Sequence, residues 1–345
     1  MQHSFITTDM EQPSIAPRGG NPPGAVANHP AHLAVEIAGL SKTFYSKHGP
    51  IKAVDNLTLA IPAGQVFGFL GPNGAGKTTT IKMMLGLVKP DAGRVRLHGY
   101  DVEQSRSAAM RQVGAVLEGS RNVYWTLSAW QNLLYFGRLK GLSADSIRPR
   151  AEYLLQSLGL WERRHEQVGG FSRGMQQKVA VAAALIADPP IVLFDEPTVG
   201  LDVEAARTVK DWITELATQH GKTIVLTTHQ LHVAEELCHR IAIIREGSIV
   251  ADRPVDELLG RFLQQDRYQI TVRGRADGLS LPSGFTTRAE DNSTVIAGPI
   301  EDQNVLYTLV DTLRVGGLSL LSVSQVQPDL EDVFLELIKG ERHYG

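Results

Sequence analysis

Cysteine is nearly absent: Cys238 is the only one in 345 residues, which excludes an internal disulfide and any multi-cysteine zinc site and fits a reducing compartment. Long apolar runs are missing too. The longest, residues 179–187, has nine residues, against about 20 for a helix that crosses a bilayer. Neither sign of charge dominates, since 34 Lys and Arg face 37 Asp and Glu for a formal net charge of -3. No global positive field therefore draws the chain to nucleic acid or anionic lipid. The start of the chain lacks the basic stretch and apolar core of a secretory signal. What remains, 43% hydrophobic and 21% charged residues, is ordinary for a soluble globular protein. At roughly 100–200 residues per domain, the length predicts two domains.

Residues 1–32 carry Pro13, Pro17, Gly19, Gly20, Pro22, Pro23, Gly24 and Pro30 without apolar periodicity, and are expected to form a disordered leader. From residue 33 to about 260, strand patterns at 34–37, 57–61, 65–70, 95–97, 113–117, 191–194, 223–227 and 241–244 alternate with helical stretches, the first of them at 77–87. This order predicts one α/β domain around a parallel sheet with helices on both faces. A helical insertion, about 119–180, interrupts it; Trp125, Trp130 and Trp161 lie there, as do Ala151, Leu154, Leu155 and Leu158 at helical spacing. Residues 261–345 read as a small α+β domain. Its strand patterns are 269–272, 294–297 and 318–323, and its helices carry Val305, Leu306, Leu309, Val310 and Leu313, then Leu330, Val333, Phe334, Leu337 and Ile338.

Three motifs carry chemistry. Gly71-Pro-Asn-Gly-Ala-Gly-Lys-Thr78 fits the phosphate-loop pattern directly between a strand and a helix. Its glycines let backbone N–H groups converge on an anion at the helix N-terminus. Lys77 then reaches the β- and γ-phosphates, and the Thr78 hydroxyl can ligate magnesium. Ile191-Val-Leu-Phe-Asp195-Glu196 ends an apolar strand with two carboxylates, where α/β sheets place ligand chemistry. Asp195 suits magnesium and Glu196 can act as base on an attacking water. Phe171-Ser-Arg-Gly-Met-Gln176 opens a helix with Ser172 as N-cap, a second anion site. Alone, each has a plain structural reading as a turn, an acidic strand end or a serine cap.

Together these residues resemble the nucleotide-binding subunit of ATP-binding cassette (ABC) transporters, over about residues 35–248. The phosphate loop matches Walker A, 191–196 matches Walker B and 171–176 the signature. Gly200-Leu201-Asp202 looks like the D-loop, and His229 like the switch histidine. Phe44 stands where an aromatic stacks on adenine, with Tyr45 as its alternative. The resemblance implies a P-loop NTPase fold with a helical subdomain, and ATP and magnesium as ligands. Nucleotide contacts are expected from Phe44, from Gly71, Pro72, Asn73, Gly74, Ala75, Gly76, Lys77, Thr78 and Thr79, from Glu118, and in trans from Ser172, Arg173, Gly174, Met175, Gln176 and Asp202. Thr78, Asp195 and Glu118 would serve the metal; Glu196 would activate water and His229 would contact the γ-phosphate. Two chains would meet head to tail around two ATP molecules and drive a separate membrane permease from the cytoplasmic face.

Three departures stand out. Glu118 replaces the usual Q-loop glutamine, and Arg173 and Met175 replace a glycine and a glutamine of the signature. With residues 117–125 and 328–335, these variants resemble the branch of drug- and polysaccharide-export ATPases. Arg173 has two readings, a cation for the opposing phosphate or a solvent-facing side chain. Trp125 and Trp130 have two as well: lining a permease groove, or packing inside the insertion. ABC ATPases of translation or DNA repair are the alternative class, and a small-molecule kinase is a poorer one.

Overall fold

The computed structural model describes residues 33–47, 49–119, 122–263, 267–275, 281, 285–290, 292–300, 302–326, 330, 331 and 334, all within one compact unit, 32–345. The expected leader lies outside the described residues, as does most of the last expected helix. In chain order the elements are β1 (Leu33–Ser46), β2 (Gly49–Pro62), β3 (Val66–Leu70), α1 (Lys77–Met84), β4 (Ala92–Leu97), β5 (Tyr100–Asp101), α2 (Arg106–Arg111) and β6 (Val113–Val116). The insertion follows, with α3 (Ala129–Leu139), α4 (Ala144–Ser157) and α5 (Arg173–Leu185). Next come β7 (Ile191–Asp195), α6 (Val203–Thr218), β8 (Thr223–Thr228), α7 (Leu231–Leu237), β9 (Arg240–Arg245), β10 (Ser248–Pro254) and α8 (Val255–Leu263). The last part holds β11 (Arg267–Arg273), β12 (Thr286–Glu290), β13 (Ser293–Pro299), α9 (Gln303–Val315) and β14 (Ser319–Val326).

The central sheet has the order β10-β9-β3-β8-β7-β6. Its strands are parallel except for β10, which runs antiparallel to β9. Successive side chains of a strand point to opposite faces, so each central strand feeds two cores. Val192, Phe194, Ile224, Leu226, Ile241 and Ile243 face the helices of the insertion and α6 and α7. Ile191, Leu193, Val225, Ala242 and Ile244 face the other way. Burial on both faces explains why these strands read as unbroken apolar runs.

The second face carries helices α1 and α2, as expected, and with them an antiparallel sheet of order β2-β1-β4-β5 that was not expected as a separate layer. The long hairpin β1–β2 was visible only as two short apolar patches, because its tip is exposed at residues 44–47 and at Pro50 and Ile51. Helix α1 also ends before the predicted residue 87; the Leu87 N–H folds back to the Lys82 carbonyl at 2.8 Å and closes the turn.

The insertion has no core of its own. Leu133, Ile147, Ala151, Leu154, Leu155 and Val179 join Val116, Val192 and Phe194 of the sheet in one continuous cluster. Trp130 packs inside it, 6.0 Å from Trp161 centre to centre, whereas Trp125 is exposed, so packing inside the insertion holds for Trp130 and not for Trp125. The loop into α3 is tied down by the fully buried Asn132, whose side chain accepts the Tyr124 N–H at 2.8 Å and donates to the Tyr124 carbonyl at 2.9 Å. At its far end, Lys140 donates to the carbonyls of Met110 and Val113 at 2.7 and 2.9 Å and pins α3 to the sheet edge.

The C-terminal sheet, order β12-β13-β11-β14, is antiparallel. It packs Ile270, Val272 and Ile296 against Leu309 and Leu313 of α9. Beyond β14, Leu330 is buried in the main core with Phe334 against it, and its N–H reaches Glu235 of α7 at 3.1 Å. The chain thus returns to the core beneath the central sheet.

Cys238 lies under the central sheet, where burial pushes its thiol up to about 12. The thiolate is the reactive form, so the folded protein should release no chromophore from an aromatic disulfide reagent at pH 8, and one thiol should titrate after unfolding in guanidinium. Reaction of the folded chain would show that this packing opens.

Candidate nucleotide site

Strand β3 delivers the glycine-rich turn to the edge of the central sheet. Gly76 holds φ at +108°, and a Cβ there would lie 2.3 Å from the Ala53 carbonyl oxygen; only glycine satisfies both limits. The turn leads into α1 with Lys77 buried. The Lys77 amine donates to the carbonyls of Gly71 at 2.6 Å and Pro72 at 3.2 Å. Desolvation holds its pKa below the ordinary lysine value, against the opposing fields of Glu196, Asp195 and Glu118. Asn73, Gly74, Gly76, Lys77, Thr78 and Thr79 line a cavity of about 290 Å³, closed on other sides by Ala53, Glu118, Glu196 and His229.

The carboxylates arrive from β7. Asp195 Oδ1 accepts hydroxyl hydrogens from Thr227 at 2.5 Å and Thr78 at 3.2 Å. Asp195 Oδ2 and Glu196 Oε2 are buried and accept none. Such oxygen atoms beside a threonine hydroxyl suit a hard cation such as magnesium. Among the described residues no group of three or more His, Cys, Asp and Glu could hold a metal ion. Glu196 sits in the left-handed region at φ +54°, its N–H held by the Thr227 carbonyl and hydroxyl at 3.1 and 3.2 Å. Its Oε1 lies 2.9 Å from His229 Nδ1, with the glutamate side chain nearly buried and the histidine half exposed.

The remaining predicted residues lie elsewhere. Phe44 pairs across the hairpin with Ile51 and lies 5.6 Å from Lys42 Nζ. Neither Phe44 nor the more exposed Tyr45 lines the phosphate cavity. A second cavity, about 400 Å³, shares Glu118 and Glu196 with the first and adds Trp125, Arg173, Gln176 and Asp195. Ser172 caps α5, its hydroxyl accepting from Met175 N at 3.3 Å. Gly174 packs so tightly that a Cβ would lie 2.6 Å from that of Ala205 on α6. Gln176 turns inward to the carbonyls of Val168 and Phe171, each at 3.2 Å, and Met175 Sδ meets Arg163. A guanidinium nitrogen of Arg173 sits 3.3 Å from where a Cβ on Gly200 would be, so this side chain lies over its own chain's D-loop turn. Asp202 caps α6 through Ala205 N at 2.8 Å.

Sequence reasoning missed Thr227, which holds the Asp195 carboxylate, and Gln230, which joins Thr198 at 2.9 Å. No local signal marks either. Thr227 pairs with Asp195 only through the β7–β8 register.

A phosphate cradle, buried strand-end carboxylates and a histidine directly after the neighbouring strand define a P-loop nucleotide hydrolase. The ABC transporter family model matches residues 54–199, and a model described as a domain of unknown function (DUF8691) matches 267–324. The daunorubicin/doxorubicin resistance ATP-binding protein DrrA of Streptomyces peucetius is 35% identical, over 88% of this chain and 92% of its own. The Nod factor export ATP-binding protein I of Paraburkholderia xenovorans (strain LB400) is 37% identical, over 89% and 98%. A dimeric, post-hydrolysis structure of the ATP-binding cassette MJ0796 bound to ADP and Pi superposes with a TM-score of 0.59 at 27% identity, over 64% of this chain and 98% of that one. The chain belongs to the ATP-binding subunits of ABC transporters: it binds and hydrolyses ATP to energise a separate permease.

Removing the Thr227 hydroxyl leaves a buried carboxylate short of a donor, which costs about 1–3 kcal/mol. Urea unfolding of Thr227→Val should show that loss, and Thr227→Ser should recover most of it; a neutral Thr227→Val would mean that Thr78 alone satisfies Asp195.

Proposed function

We propose that this chain powers export from the cytoplasmic face of the membrane, working as a head-to-tail, ATP-dependent homodimer. The observation that carries the reading is the Glu196–His229 contact of 2.9 Å beside the phosphate loop, with the signature residues Ser172 and Gly174 outside that cavity. A site split in this way needs a second copy to complete it. The dimeric neighbour supports the arrangement, and relatives named for drug resistance and Nod factor export support the direction. No helix among the described residues is long and apolar enough to cross a membrane, which suits attachment through the permease.

In this reading, Lys77 and the loop amides hold the β- and γ-phosphates, and Phe44 or Tyr45 stacks on adenine once the nucleotide is bound. Thr78, Asp195 and Glu118 would hold magnesium, which would offset phosphate charge. Glu196 takes a proton from the attacking water. Its 2.9 Å contact with His229 Nδ1 orients the ring, which stands beside the γ-phosphate position. Ser172, Arg173 and Gly174, with Met175, Gln176 and Asp202 behind them, serve the partner's nucleotide. The exposed Tyr124, Trp125, Tyr135 and Leu139 of the insertion form the surface on which the permease docks, since aromatic side chains concentrate interface energy.

Lys77→Ala removes a charged hydrogen-bond donor worth about 1.5–3 kcal/mol, so calorimetry should show ATP affinity falling roughly 10- to 100-fold; unchanged affinity contradicts the loop's role. Glu196→Gln should lower turnover by about 100-fold or more while ATP still binds. With magnesium and ATP it should accumulate as a dimer in size-exclusion chromatography with light scattering. A monomer with and without nucleotide would remove the composite site.

A further inference from the structure

The loop that carries Glu118 is shaped by a side chain that does not line the phosphate cavity. Asn122 Oδ1 accepts the Leu117 N–H at 2.9 Å, and Asn122 Nδ2 donates to the Leu117 carbonyl at 2.7 Å and the Gly119 carbonyl at 2.9 Å. One amide thus takes both backbone groups of the residue directly before Glu118 and one from the residue after it. This is what a neighbouring strand would do for β6, which ends at Val116; the amide continues the ladder where no strand is left to pair. Asn122 also forms part of two cavity walls. One is the 400 Å³ cavity with Glu118, Asp195 and Glu196; the other, about 250 Å³, lies at the seam between sheet and insertion with Phe136 and Lys140.

We propose that Asn122 is a positioning residue for hydrolysis: by clamping Leu117 and Gly119 it fixes the Glu118 carboxylate between the two cavities of the nucleotide site. The proposal rests on the reading in which Glu118 serves the magnesium nucleotide. The residue type follows from the chemistry. An aspartate has the shape of asparagine and accepts from Leu117 N–H, but it has no hydrogen to give to two carbonyls and repels both. An alanine orphans all three groups. A longer glutamine displaces the amide by one methylene.

The test is a double-mutant cycle on the full chain, read by calorimetry as the ratio of ATP affinity with magnesium to that in EDTA, so that no turnover is required. Asn122→Ala and Asn122→Asp should each lower the ratio about fivefold or more, with affinity in EDTA within about twofold of wild type. Glu118→Gln should lower it as well. The double variant Asn122→Ala/Glu118→Gln should be no lower than Glu118→Gln alone, because Asn122 acts through Glu118. If Asn122→Ala does not fold, the isosteric Asn122→Asp completes the same cycle. Multiplying effects in the double variant would overturn the proposal. A wild-type ratio in both Asn122 variants, with Glu118→Gln shifted, would refute the part played by Asn122 and leave the Glu118 reading standing. A wild-type ratio in Glu118→Gln would refute that reading, and the proposal with it.

Discussion

The hydrogen bond from the Thr227 hydroxyl to Asp195 Oδ1 ties two adjacent parallel strands at their C-terminal ends, and the geometry of the site depends on that alignment. Strands β3, β8 and β7 lie side by side in register, with Leu70 opposite Thr228 and Asp195 opposite Thr227. One edge of the sheet therefore carries the phosphate loop, the histidine turn and both carboxylates. Parallel strands need crossover connections, so residues more than a hundred positions apart in the chain arrive at one edge together. The buried oxygen atoms left without donors, Asp195 Oδ2 and Glu196 Oε2, face a desolvation cost that a cation or water relieves. A structure that maintains such groups is built around a ligand.

The described stretches 117–119 and 122–128 show how irregular chain is held where precision matters. Two asparagines do the work of missing strands: Asn122 engages both backbone groups of Leu117, and Asn132 both of Tyr124. Between them lie Trp125 and the wall of the larger cavity. The insertion shares its core with the sheet, so a push on its outer face is carried by packed side chains rather than by a flexible joint. Lys140, pinned to two carbonyls at the sheet edge, adds a polar tie at the same seam. The C-terminal part is fastened separately, through Leu330 and Glu235 on the helix that follows His229.

Much of this was legible in the residues. The phosphate loop, the acidic end of β7 and the serine cap of α5 are local patterns whose physics is complete within about eight residues, and the α/β order follows from apolar runs. The antiparallel sheet on the second face was not legible. Its hairpin is exposed at the tip, so alternation fades there although the backbone pairing continues. Trp130 and Trp161 could not be separated from Trp125 by pattern either; their contact depends on how the turn around Arg164 returns to α3, where the Trp130 N–H meets the Arg164 carbonyl at 2.9 Å.

By itself the sequence determined which chemistry the chain owns: glycines with room for phosphate, a lysine, two carboxylates at a strand end, a histidine closing another strand. Those are properties of short segments and survive without knowledge of the fold. Only the tertiary structure decided which of them meet. It brought His229 to Glu196 and Thr227 to Asp195, laid Arg173 over Gly200 of its own chain and left Phe44 outside the phosphate cavity. The reason is physical: hydrogen bonds reach about 3 Å, and separation along the chain says nothing about distances on that scale until strand register and packing have set them.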